Sequence, residues 1–186
     1  MSTFYTVGHS TRPLAEFVDI LNSAEVRLLA DVRTVPRSRT NPQFNADTLP
    51  KNLAEAGIAW RHIATLGGLR SSRRGSPSPN DFWENASFRH YADYAAGAEF
   101  RQGLEELRTL GRNRTCAIMC AEAVWWRCHR RIIADYLIAE GETVMHIMGS
   151  NKFEPARLTP AAQRLPDGTL IYPRRNDPHA QPRIQE

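Results

Sequence analysis

Short apolar runs alternating with helical stretches restrict the fold of this chain more than any other feature. Residues 4–7 read as a strand entering Gly8-His9-Ser10, after which residues 13–24 carry Leu14, Phe17, Val18 and Leu21 at helical spacing. Residues 26–32 form a mostly apolar run broken by Arg33 and Pro36, the pattern of a strand covered on both faces. A Pro- and Arg-rich loop over 33–46 leads to a short helix over 47–56 stopped by Gly57, and residues 58–63 read as a third strand. Helical patterns return over 82–94, with many aromatics, and over 99–110, ended by Gly111. Residues 115–121 give the clearest strand, 126–140 a helix stopped by Gly141, and 143–147 the last strand of the sheet. This series predicts an α/β fold: a parallel or mostly parallel Rossmann-like sheet flanked by helices. Asp167-Gly168 predicts a small C-terminal hairpin.

With 186 residues, the chain can bury a full core in one domain, expected over 1–172, with 173–186 as a flexible tail. No apolar stretch reaches the roughly 18–20 residues of a membrane span, and the N-terminus lacks a basic, then apolar, leader. Three cysteines, an odd number, suit a reducing compartment better than a disulfide scaffold. The expectation is a cytoplasmic protein without a membrane partner. All but two of the 24 basic residues are Arg, the exceptions being Lys51 and Lys152. Guanidinium forks match phosphate and carboxylate geometry, although codon bias produces the same ratio. Residues 61–80 carry Arg61, Arg70, Arg73 and Arg74 and no acidic residue. The small, polar and basic stretch 66–81 reads as a lid over a site or as a mobile connection.

Open parallel sheets bind ligands beyond the carboxyl ends of their strands, and the unusual residues fall there. His9 and Ser10 follow the first strand, Asp31, Arg33 and Arg37 end the second, and Cys120 and Glu122 close the strand over 115–121. Cys128, His129 and Arg130 follow, placed by the pattern inside the next helix. Cys116 shares a strand face with Cys120 and is expected in the core. At the strand mouth, positive potential favours a Cys120 thiolate that attacks or contacts a substrate; a packed thiol and a metal ligand are its other readings. Glu122 is expected to carry protons or to be a structural strand-end glutamate, His129 to relay a proton, orient a carboxylate or pack as a hydrogen-bonded core histidine, and Asp31 to orient Arg33, Arg130 or His9, to perform acid–base work itself or to cap a turn. His9, Ser10, Arg33, Arg37, Cys128 and Arg130 are expected to bind the substrate, whereas Arg127 and Arg131 are expected to point away.

The glycine repeat of a dinucleotide loop and the Gly-Lys-Ser/Thr element of a phosphate loop are missing, so the cofactor is left open. Zinc on Cys120, Cys128 and a histidine, or a hard cation on Asp31 and Glu122, are the metal alternatives.

Together, Thr6-Val7-Gly8-His9-Ser10, Leu29-Ala30-Asp31-Val32-Arg33 with Pro36 and Ser38, Leu66-Gly67-Gly68, Phe88 with Tyr91-Ala92, and Met119-Cys120-Ala121-Glu122 followed by Cys128-His129-Arg130 resemble the bacterial and archaeal family known as domain of unknown function 488. The resemblance covers residues 4–147. It implies an α/β sheet domain and a common strand-end site of His9, Asp31, Arg33, Cys120, Glu122, Cys128, His129 and Arg130, and it supplies no reaction. Ala30, where a larger aliphatic is common, and Val124-Trp125-Trp126, where the approach is usually smaller or contains proline, depart from the family pattern and change the shape of the pocket more than its polar groups. A similarity of residues 28–33 to the early strand of a rhodanese domain is superficial, since no glycine-rich basic loop follows Cys120.

Two classes of function emerge. One is an enzyme that hydrolyses, or transfers a group from, an anionic substrate: a nucleotide, a nucleic acid or a phosphorylated small molecule. The other is non-catalytic nucleic-acid binding, with the Arg61 to Arg74 region on phosphates and Trp60, Trp83, Trp125 or Trp126 stacking on bases. A metal-dependent α/β enzyme is the further alternative.

Overall fold

A computed structural model describes residues 2–71 and 77–174. Six strands form one sheet: β1 (Thr3–Gly8), β2 (Leu28–Asp31), β3 (Ala59–His62), β4 (Cys116–Cys120), β5 (Thr143–Gly149) and β6 (Lys152–Pro155), in the order β3-β2-β4-β1-β5-β6. The first five are parallel, and β6 runs antiparallel to β5. β6 is a short, exposed edge strand beginning with a lysine, and it extends the sheet beyond the strand expected to be its last. Its exposure on both faces explains why no apolar pattern announces it. β7 (Gln163–Arg164) and β8 (Leu170–Ile171) make the expected hairpin around Asp167-Gly168.

Strand alternation divides the core in two. Leu28, Ala30, Cys116 and Ile118 face one layer, made by α3 (Ala86–Ala95), α4 (Ala98–Asn113) and α5 (Arg130–Ala139). Val7, Leu29, Ala117 and Met119 face the other, made by α1 (Leu14–Ser23) and α2 (Leu49–Glu55). β4 is buried at every position, which accounts for its unbroken apolar sequence. Gly141, at φ +84°, follows α5 as expected.

Two helix limits differ from expectation. Gly111 lies within α4, not at its end; a Cβ there would strike the Phe4 ring, so the glycine permits close packing of helix on sheet. α5 begins at Arg130, because residues Trp125–Arg127 form a separate 3-10 turn and Cys128 is extended at φ −124°, ψ 145°. Cys128 therefore precedes the helix and His129 is its N-cap, instead of both lying inside it. Among the described residues no helix is long and apolar enough to cross a membrane. The expected lid crosses residues 72–76, and most of the expected tail is 175–186; both segments lie outside the described residues.

Candidate functional site

Register aligns the strand ends. Gly8 is paired with Cys120, and Asp31 with Met119, so β1, β2 and β4 finish side by side. The ladder continues briefly past them, with His9 N–H donating to Cys120 O at 2.9 Å, Ser10 N–H to Ala121 O at 3.0 Å, and Val32 N–H to Met119 O at 2.9 Å. A Cβ on Gly8 would collide with the Glu122 carbonyl, so this crossing of backbones requires glycine. Above these ends lies a cleft of about 850 Å³. His9, Ser10, Arg33, Arg37, Cys120, Glu122, Cys128 and His129 all line it.

Asp31 and Arg33 form one wall. The carboxylate accepts from Arg33 N–H at 3.1 Å, from Nε at 2.9 Å and from Nη2 at 2.6 Å, and Nη2 also donates to Phe44 O. Asp31 is fully buried and Arg33 is 7% exposed, so this is an internal ion pair. Its remaining reach goes to His9: Nη1 donates to Nε2 at 3.3 Å, while His9 Nδ1–H donates to Ser10 O at 2.7 Å. His9 is thus held neutral and stacked on Phe44, with burial foremost in lowering its pKa to about 4. Asp31 orients Arg33, and Arg33 orients His9.

The floor holds the two thiols. Cys120 Sγ and Cys128 Sγ are 2.6 Å apart, and each residue is 2% exposed. Arg130 donates to Cys128 Sγ from its backbone N–H at 3.5 Å and from Nε at 3.3 Å, and from Nη2 to Glu122 O at 2.7 Å. Arg130, expected to reach the strand-end mouth and bind an anion there, is 1% exposed and turns its Nε to the Cys128 sulfur. His129 Nε2–H donates to Val32 O at 3.1 Å, which leaves Nδ1 toward Cys128 Sγ at 3.5 Å. Gly68 makes room for that ring, since a Cβ there would overlap it.

These contacts separate the thiols. Burial opposes a Cys128 thiolate, but the Cys120 hydrogen bond, the neighbouring His129 and the charge of Arg130 outweigh it and pull this thiol well below the ordinary range. Burial, then the hydrogen bond and negative charge of Cys128, push Cys120 well above that range. Cys116, enclosed in the core as expected, is pushed up to about 12 by burial. Of the two sulfurs, Cys128, at the start of α5, is the one whose surroundings favour a thiolate, and the helix N-terminus adds potential of the same sign.

At the rim, Glu122 and Arg37 are exposed. Arg127, expected to point away, instead lines the cleft, because the 3-10 turn before α5 turns it there. Among the described residues the side chains of Arg37 and Arg127 have no hydrogen bond or ion pair. Sequence reasoning also missed Phe44, which carries His9 but lies in a loop that no periodicity marks.

Elsewhere, Arg61 pairs with Glu106 at 2.7 Å, and Arg70 donates to Gly67 O, Ala64 O and Thr65 O while stacking on Tyr94. Trp60 is half-buried against the core, Trp83 is buried and Trp125 stacks on His146, which leaves Trp126 as the exposed indole, at 47%. Arg73 and Arg74 lie outside the described residues. Among the described residues no three His, Cys, Asp or Glu groups converge as a metal site.

No curated protein and no solved structure matches the chain. The sequence profile of the family described as domain of unknown function DUF488 matches residues 13–137, which span β2, β4, both cleft thiols and most of α5, and the chain belongs to that family.

Proposed function

We propose that the cleft is the active site of a cysteine-dependent enzyme that removes a group from an anionic substrate, such as a nucleotide, a nucleic acid or a phosphorylated small molecule, and passes it to water or a second acceptor. The observation that carries this reading is the setting of Cys128 Sγ, which receives hydrogen bonds from Cys120 and Arg130 and lies 3.5 Å from His129 Nδ1 at the floor of the cleft. Arg37 and Arg127 at the rim supply uncommitted guanidinium groups for the anion.

Before the reaction the proton given up by Cys128 rests on His129 Nδ1, and the Nε2–H bond to Val32 O fixes the ring beside the sulfur. The thiolate attacks the electrophilic atom of the substrate. A bond from sulfur to that atom forms as the bond to the leaving group breaks, the electron pair departs with the leaving group, and His129 returns the proton to it. Water or the acceptor then attacks the same atom, releases the thiolate and gives its proton to His129. Asp31, Arg33 and His9 act by position, keeping the opposite wall fixed. Glu122, exposed at the rim, is the further carboxylate able to exchange protons with an incoming acceptor.

The test is capture of the intermediate. The protein is mixed with aryl phosphate and aryl carboxylate esters, quenched in acid and digested for peptide mass spectrometry. A phosphoryl or acyl adduct on the Cys128 peptide that is absent from Cys128→Ser is the expected result. An adduct on Cys120 alone, or equal turnover by Cys128→Ser, would remove the assignment.

A further inference from the structure

Two thiols in contact have a chemistry that neither has alone. Cys120 ends β4 and Cys128 precedes α5, and their sulfur atoms, 2.6 Å apart, lie about half an ångström beyond the covalent S–S length of about 2.05 Å. Both residues line the cleft, while Cys116 on the same strand face is enclosed in the core with no cleft contact. We propose that Cys120 and Cys128 are a redox-active dithiol, in which a small hydroperoxide oxidises Cys128 and Cys120 closes the disulfide. This activity rests on the same Cys128 thiolate as the group-transfer reading.

The steps balance. The Cys128 thiolate attacks a peroxide oxygen; the S–O bond forms as the O–O bond breaks, and the departing hydroxide or alkoxide carries off the electron pair and takes up a proton. Cys128 is then a sulfenic acid. Cys120 sulfur attacks Cys128 sulfur, the S–S bond forms as the S–O bond breaks, and the Cys120 proton joins the expelled hydroxide as water. Two electrons have passed from the dithiol to the peroxide. An external thiol, such as glutathione, returns them by thiol–disulfide exchange.

Arg130 sets the direction in which the pair relaxes. In the reduced state its Nε faces the Cys128 sulfur, and its Nη2 is satisfied by Glu122 O. Oxidation removes the negative charge and leaves a guanidinium that is 1% exposed with the carbonyl as its remaining partner in this cluster. The reduced form is therefore favoured, and the disulfide is an easily reduced one, unlike a structural bridge.

The experiment uses the full chain, first reduced and desalted, then treated with stoichiometric hydrogen peroxide, blocked with N-ethylmaleimide and mapped by mass spectrometry. The expected product is a Cys120–Cys128 disulfide with Cys116 still blocked as a thiol, and glutathione reverses it. Cys120→Ser loses the disulfide and accumulates a dimedone-reactive sulfenic acid at Cys128. In Arg130→Lys, whose ammonium cannot reproduce the Nε contact, the disulfide survives to higher glutathione concentration than in the native chain. The proposal is overturned if native Cys128 proceeds to sulfinic acid while Cys120 stays free, or if Cys116 is oxidised as fast as Cys128. The mapping of the native chain decides without any variant. A Cys128 that captures esters but never pairs with Cys120 removes this inference alone; a disulfide that forms in a protein capturing no ester removes the group-transfer reading alone.

Discussion

Asp31 gives both of its carboxylate oxygens to a residue two positions along the chain, and this decides what each can do. A buried pair of this kind is costly to break from one side, since the surviving charge has neither water nor partner. Asp31→Asn leaves Arg33 charged at 7% exposure, with Phe44 O as its other strong acceptor. We expect a loss of about 3–5 kcal/mol in unfolding free energy, read from urea denaturation, together with release of His9 from its place against Phe44. A loss below about 1 kcal/mol, the scale of a surface pair, would show that the pair is not desolvated as described. The thiols follow the same logic: Arg130 and Cys128 are buried together, and a guanidinium that loses a charged sulfur keeps the Glu122 carbonyl as its partner in this cluster.

At the scale of elements, the strand ends were legible in the sequence and the helix start was not. Short apolar runs ending in His9, Asp31 and Cys120 point to one edge because parallel strands all finish on the same side, and the register of Gly8 with Cys120 bears this out. The hairpin was readable from Asp167-Gly168, where glycine takes φ +84°. The segment before α5 misled because Trp125, Cys128, His129, Ile132 and Tyr136 fit a helical stripe, yet stacking of Trp125 on His146 holds the first of these in a separate turn. That break moves Cys128 from a helix face to the helix entrance and exchanges the expected roles of Arg127 and Arg130. Periodicity reports which side chains are apolar, and it is silent on a one-residue interruption that reorients an arginine. β6 was hidden for a related reason: an edge strand with solvent on both faces has no pattern to read.

For the whole molecule, pH acts through groups buried in unfavourable states. His9 and His146 are each lowered to about 4, with burial the foremost cause, so between about pH 4 and 6.5 the unfolded chain binds protons that the folded chain refuses. Their contribution to stability is complete above pH 6.5 and is lost as pH falls through 4. Asp135, which receives Thr159 N–H and Tyr172 O–H and is raised to about 6 chiefly by burial, acts in the reverse sense: the folded chain holds its proton between about pH 4 and 6. Two histidines outweigh one carboxyl, and the urea midpoint is expected to rise from pH 4.5 to pH 7; a midpoint that falls over this interval would contradict the burial assigned to the histidines. Underlying every functional statement is the claim that the cleft holds its charge on Cys128. Its most direct measurement is the iodoacetamide alkylation rate of each cysteine in the native reduced protein, followed from pH 5 to pH 10 by peptide mass spectrometry. The account predicts that Cys128 reacts first and that its rate levels off below the pH at which an ordinary thiol ionises, while Cys120 and Cys116 lag throughout. A Cys128 rate that keeps rising to pH 10, or that stays below the rate of Cys120, would contradict it.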